Sequence, residues 1–178
     1  LLKSSGAVPS GRVVFAGSGP LMWLAVSRFA ETEVKILAVL ETVNISNYLQ
    51  ALPYLPQALR ASEYLIKGLR IKMQLRKAGI PVLSDVHNLR VEGAKGLEKL
   101  YFTHRGNSKS LELDTLLLHE GVIPNTQLTR QLGCDHDWHE LQSYWYPLLD
   151  QWGNTSVKGV AVAGDCGIVA GALTSEAS

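Results

Sequence analysis

The chain of 178 residues carries a formal net charge of +1 and is 46% hydrophobic. That suits one globular domain, or one domain and part of another, with material for a real core. Basic residues are scattered rather than gathered into a run, which argues against nucleic-acid and membrane-surface partners. No apolar run reaches the roughly 18 residues of a membrane span, and no signal peptide is expected from the pattern of these residues. The two cysteines, Cys134 and Cys166, have no metal-ligand spacing and read as reduced thiols of a cytoplasmic protein. The chain starts without Met on the loop-like run from Lys3 to Ser10 and stops just after an apolar, small-residue stretch. Both ends are therefore expected to have been cut from something longer.

Residues 12–16, apolar apart from Arg12, predict a first strand, followed by Gly17-Ser18-Gly19-Pro20 and a helix over 20–31 with Leu21, Leu24, Ala25 and Phe29 at core-facing spacing. Val34 to Leu40 is apolar apart from Lys35, as in a parallel strand covered on both faces. Glu41 closes it. This is the order of a dinucleotide-binding βαβ unit. Gly17 allows the tight turn, and Gly19 lets the backbone approach a pyrophosphate held on the N–H groups of the helix start. Glu41 lies at the distance of roughly 20 residues expected for a carboxylate on the adenosine ribose 2′-OH. Met22 stands where the third glycine of the pattern would be. The alternative is a Rossmann-type turn kept only as scaffold, since fold does not imply a working site.

Thr42 to Pro56, interrupted by Asn44, Asn47, Pro53 and Pro56, reads as loop with at most a short helix. From Gln57 to Ala78 the pattern is helical, with Leu59, Leu65, Leu69, Met73 and Leu75 on one side. Arg60, Lys67, Arg70, Lys72, Arg76 and Lys77 lie on the other, which reads as a solvated face rather than a phosphate site. No Arg follows the second strand before Arg60, which favours NAD over NADP. Gly79 ends the helix, and Ile80 to Leu83 starts a third parallel strand. Val86–Val91, Leu97–His104 and Ser110–Leu113, split by Gly93, Gly96, Gly106 and Asn107, predict an antiparallel meander. Leu116-Leu117-Leu118 is one more buried strand.

Two later segments carry a family resemblance. The run Leu116 to Thr126, a strand followed by Gly121-Val122-Ile123-Pro124-Asn125, resembles the return from the NAD domain to the FAD domain in glutathione-reductase-like flavoproteins. Thr155-Ser156-Val157-Lys158-Gly159, an apolar strand, and Gly164-Asp165 resemble the second FAD motif of that class. The resemblance implies that Asp165 accepts a hydrogen bond from the FAD ribityl chain, with Gly164 and Gly167 giving close backbone approach. Cys166 stands where the family usually continues with glycine. More narrowly, residues 11–14, 16–21 and 121–128 and the Trp/Tyr/Asp run from Trp138 to Trp152 are similar to the FAD/NAD-binding subunits of heteromeric amine dehydrogenases. That group includes the FAD/NAD-binding subunits of opine oxidase, hydroxyproline dehydrogenase (its alpha polypeptide) and hydrogen cyanide synthase.

The fold this implies is α/β: a Rossmann-like NAD(P)-binding domain at 1–118, a parallel sheet with an antiparallel meander, then at 119–178 the C-terminal remnant of a split FAD-binding domain. The upstream GxGxxG unit that would hold the ADP half of FAD is not present in this sequence. The fragment alone is expected to hold FAD weakly and to be inactive. The function implied is FAD-dependent oxidation of an opine, amino acid or related secondary amine. It comes with NAD or another adenine nucleotide in the first domain, and with a catalytic partner subunit. A non-catalytic nucleotide-binding scaffold is the competing reading, and a free-standing NAD dehydrogenase a weaker third.

Other clusters carry less. Cys134 to Glu140 gathers potential ligands without a zinc spacing and reads as a surface or subunit-contact loop, so no metal is expected. His87, His104 and His119 read as structural. Trp138, Tyr144, Trp145, Tyr146 and Trp152 form an aromatic patch suited to core or to a subunit interface. No nucleophile elbow supports hydrolase chemistry, and no residue is assigned as general acid or base.

Overall fold

The computed structural model describes residues 5–44, 46, 62–140 and 142–169. The readings placed on 47–61, including Pro53, Pro56, Leu59 and Arg60, lie outside the described residues, as does the small-residue stretch from 170 onward. The chain divides into two compact units, Leu1–Gly121 and Val122–Ser178.

In the first unit, strand β1 (Arg12–Gly17), helix α1 (Pro20–Ala30), β2 (Lys35–Glu41), α2 (Ser62–Lys77) and β3 (Val82–Ser84) follow in order. The meander β4 (Val86–Glu92), β5 (Lys99–His104) and β6 (Asn107–Glu112) then leads to β7 (Thr115–His119). The parallel sheet has the order β3-β2-β1-β7, and β4-β5-β6 forms a separate antiparallel sheet. The order reverses at β1: α1 carries the chain to one side of it, while the meander returns the chain to the other.

Alternation along the central strands explains the layering. Val13, Phe15 and Val39 pack with Met22, Trp23 and Val26 of α1 and Ile71 and Leu75 of α2. Val14, Ala16, Ala38 and Leu40 pack with Val86, Leu100, Phe102 and Leu113 from the meander side. Each face of the sheet is therefore covered, by helices on one side and by the meander on the other. This is why Val34 to Leu40 could be written without polar alternation.

The helix faces agree in part with those the sequence predicts: Leu24 and Phe29 of α1 and Leu75 of α2 pack into the core as expected. In α1 the buried residues are Met22, Trp23 and Val26, whereas Leu21 is exposed and Ala25 lies with it on a groove beside β7. In α2, Ile71 and Leu75 are buried, while Leu69 and Met73 are exposed. Both helices are apolar around more than one face, so periodicity alone could not choose between stripes; packing between α1 and α2 did. Helix α2 ends as a Schellman motif, with Ile80 N–H donating to Leu75 O (3.0 Å), Gly79 N–H donating to Arg76 O (3.1 Å), and Gly79 at φ 73°.

The last meander strand starts at Asn107, earlier than predicted. Arg105 (φ 50°) and Gly106 (φ 76°) form a two-residue turn with both residues in the left-handed region, so Asn107 pairs directly with His104.

The second unit holds α3 (Gln127–Gln131), the hairpin β8 (His136–His139) and β9 (Tyr144–Pro147), and a 3₁₀ turn at Gly164–Cys166. The Cys134–Glu140 segment, expected as a loop, is largely strand, with Trp138 paired to Trp145. The strand expected just before Gly164-Asp165 does not form: among the described residues that stretch makes a single bridge, Asn154 to Ala161. A strand needs a continuous ladder partner for its backbone groups, and the described residues of this unit supply none there. Cys134 is buried, Cys166 exposed, and both are free thiols. Among the described residues no helix is long and apolar enough to cross a membrane.

Candidate functional site

Strand register sets four residues side by side at the C-terminal edge of the parallel sheet. Gly17 pairs with Glu41 on one side and with His119 on the other, and Glu41 pairs with Ser84. The rank Ser84, Glu41, Gly17, His119 therefore spans the sheet. The point where strand order reverses, between β1 and β7, falls at Gly17. Open α/β sheets bind ligands at this position.

Gly17 is buried at φ 138°. A Cβ there would overlap the His119 carbonyl oxygen and lie 2.6 Å from its carbon. Ser18 N–H donates to that same oxygen (2.8 Å), and Thr42 N–H donates to Gly17 O (2.9 Å). Gly17 is thus a glycine because three strand ends converge on it.

Gly19 differs. It is the N-cap of α1 at φ 89°, with no side-chain cap, and Pro20 follows as the first helical residue. Pro20 has no N–H to offer, so the free donors of the helix start lie beyond it. The nearest atom to a Cβ at Gly19 would be His119 Nε2 at 3.9 Å. No other described atom outside its chain neighbours lies within 4 Å of that position, which is the close backbone approach a phosphate at a helix start requires. His119, expected from the sequence to be structural, stands beside that position. The register β1–β7 puts it there, and only the strand order could have revealed it.

Beside the turn runs a groove of about 420 Å³ lined by Phe15, Leu21, Met22, Ala25, Phe29 and Leu117 to His119. Met22 is 2% exposed in its floor. It fills the volume that a third glycine would have left for closer helix–strand packing.

Glu41 is 2% exposed. Val39 faces the helices and Leu40 the meander, so alternation turns Glu41 to the helix side. There Lys72 Nζ donates to both carboxylate oxygens (3.0 and 3.2 Å), and Ser84 Oγ donates to Oε2 (2.6 Å). The Lys72 ammonium also stands 4.5 Å from the centre of the Trp23 ring. The sequence pattern places Lys72 on a solvated helix face. Its stem instead reaches over the α1–α2 seam to the end of β2.

In the second unit, Gly164 is at φ 63° with no atom of the described residues within 4 Å of a Cβ position, and Asp165 is exposed in the first turn after it. Gly167 is buried, and a Cβ there would come 2.8 Å from Leu149 Cδ1. Its smallness therefore serves packing within this unit. The aromatic patch is split: Tyr144 is buried, Trp138 and Trp145 stack edge-on at 5.5 Å, and Trp152 is 79% exposed.

A glycine turn at the reversal point of a parallel sheet, roofed by a three-stranded meander, defines a dinucleotide-binding α/β unit. The chain belongs to the pyridine nucleotide-disulphide oxidoreductase family, whose model matches residues 55–178. This is a family of FAD- and NAD(P)-binding oxidoreductases. The chain is 37% identical to the A subunit of opine oxidase from Rhizobium meliloti, over 99% of this chain and 33% of that protein. It is 25% identical to the hydrogen cyanide synthase subunit HcnB of Pseudomonas protegens, over 96% of this chain and 37% of that one. Among solved structures, bacillithiol disulfide reductase of Staphylococcus aureus shares the fold at TM-score 0.60 and 14% identity, covering 91% of this chain and 45% of that one. Thioredoxin reductase of T. acidophilum does so at TM-score 0.55 and 21% identity, covering 88% and 44%. The chain spans about a third of the length of the opine oxidase subunits it matches.

Proposed function

We propose that the chain binds NAD or another adenine nucleotide on the Gly17–Gly19 turn, as the NAD-type part (1–118) of an FAD-dependent oxidoreductase subunit. In this reading 119–178 contributes the C-terminal part of the flavin-binding domain. The whole protein acts with a catalytic partner subunit on an opine, amino acid or related secondary amine. The observation that carries the nucleotide site is the open approach at Gly19, beside the reversal of strand order and above the start of α1. The likeness to relatives that are themselves named as subunits supports the heteromeric setting and the substrate class.

Toward a flavin, exposed Asp165 and the open backbone at Gly164 suit a ribityl hydroxyl and a close backbone contact. The electron-accepting chemistry belongs to the flavin; the residues of this chain bind and orient. Ser18 and Pro20 shape the turn, and Gly19 admits the phosphates.

Titration calorimetry of the full chain with NADH, ADP and ATP tests this reading. Saturable binding is expected, with a loss of at least about tenfold in Gly19→Val, whose side chain would project into the phosphate position. Binding unchanged in Gly19→Val refutes the site. Failure of every nucleotide to bind favours the second reading, a nucleotide-type fold used as scaffold within a heteromeric dehydrogenase. The burial of Glu41 in an internal ion pair is the observation that speaks for that alternative.

A further inference from the structure

We propose that Lys72 is a specificity-determining residue of this nucleotide site, making it indifferent to a 2′-phosphate on the adenosine ribose. The inference rests on the nucleotide-binding reading above and concerns the ribose end of the same site.

An acid at the end of β2 selects NAD in two ways. It accepts a hydrogen bond from the free 2′-OH, and its charge repels a phosphate in that place. Both effects require a carboxylate that is exposed and uncompensated. Glu41 is at the right place in the chain and in the sheet, beside Gly17 in register. Its side chain is 3% exposed, however, and each oxygen accepts a hydrogen bond from within the fold. A ribose hydroxyl would have to displace Lys72 or Ser84 from a buried carboxylate. Breaking a buried ion pair by removing one partner is far costlier than the gain of one exposed hydrogen bond.

The groups that remain at the surface are of the opposite kind. Lys72 is 36% exposed. Together with Ser84 and Arg76 it lines a groove of about 520 Å³ along α2 and β3, whose other walls are mostly apolar. The end of β2 thus presents an ammonium, a hydroxyl and a nearby guanidinium instead of a carboxylate. None of the described residues lining the groove is acidic. The preference for NAD over NADP drawn from the sequence rested on the absence of an Arg between the second strand and Arg60; Lys72 and Arg76, which line this groove with Ser84, supply cations that chain spacing did not show.

The test is calorimetric titration of the full chain, wild type and two variants, with NADH and with NADPH. The wild type is expected to bind the two within about threefold of each other, and Glu41→Gln to leave both affinities within about twofold. Lys72→Met takes away the charge that compensates Glu41 and is expected to raise the preference for NADH by about tenfold. Glu41→Gln, which keeps an acceptor for Ser84 and leaves as its unpaired charge the partly exposed Lys72 ammonium, answers the question if Lys72→Met does not fold. A wild-type preference for NADH above about tenfold that Glu41→Gln abolishes overturns the inference and leaves the binding site standing. Failure of both nucleotides to bind the wild type overturns the inference and the nucleotide reading together.

Discussion

Replacing Gly17 by alanine tests whether the glycine turn is held by the protein itself as well as shaped for a ligand. The new Cβ would sit 2.6 Å from the His119 carbonyl carbon, where real Cβ atoms essentially never approach within 3.0 Å, and it would overlap the oxygen. That obstacle is backbone, so it cannot swing aside as a side chain could. The ends of β1 and β7 must separate by roughly 1 Å, and close-packed interiors absorb such a shift poorly. Three costs accumulate: strain at φ 138°, overpacking at the strand ends, and loss of the Ser18–His119 hydrogen bond. Together they come to about 3–5 kcal/mol. With a urea dependence of about 2 kcal/mol per molar, the midpoint of unfolding should fall by about 2 M. Gly19→Ala is the matched control, because its Cβ meets only His119 Nε2 at 3.9 Å and it bears the backbone strain alone, about 1–3 kcal/mol. If Gly17→Ala unfolds at the wild-type urea concentration, or no earlier than Gly19→Ala, the convergence of strand ends on Gly17 is not what fixes this residue.

Two further outcomes follow from the same packing and electrostatics. Leu100, wholly buried between the meander and the sheet, should cost about 2–5 kcal/mol on truncation to alanine, seen by urea unfolding; a loss below about 1 kcal/mol would mean the meander is not part of the core. Asp114 accepts hydrogen bonds from the Arg12 backbone N–H (2.6 Å) and guanidinium (3.1 Å), and Arg12 holds its carboxyl below the ordinary value of 3.8. A carboxyl depressed in the folded state adds stability above its unfolded pKa, lost as pH falls below 3.8 toward the lower folded value. Asp114→Asn should therefore flatten the fall in melting temperature over that acid range. An unchanged profile would show that the pairing adds nothing there.

Much of the first unit was legible because its rules are local. The largely apolar runs 12–16 and 34–40, the helix stop at Gly79 and the first two strands of the meander each declare themselves within a few residues. The glycine turn did too, since positive φ at Gly17 and Gly19 is a demand on single residues. Other features depended on which segments meet. The stripes of α1 and α2 that became core, Met22, Trp23 and Val26 with Ile71 and Leu75, were chosen by helix–helix packing among several apolar faces. His119 became a neighbour of Gly19 only because β7 lies next to β1.

Glu41 marks the boundary between the two kinds of information. The sequence by itself determined that an acid would close β2 at the end of the sheet where ligands bind, since strand, turn and helix lengths fix that position. It could not determine what the acid would touch. Lys72 lies 31 residues away and Ser84 43 residues away, and both arrive through long-range packing of α2 and pairing of β3. A carboxylate at the same sequence position can face a ligand or close an internal ion pair. Which of these it does is set by the groups the fold brings within hydrogen-bonding reach, and those contacts belong to the tertiary structure alone.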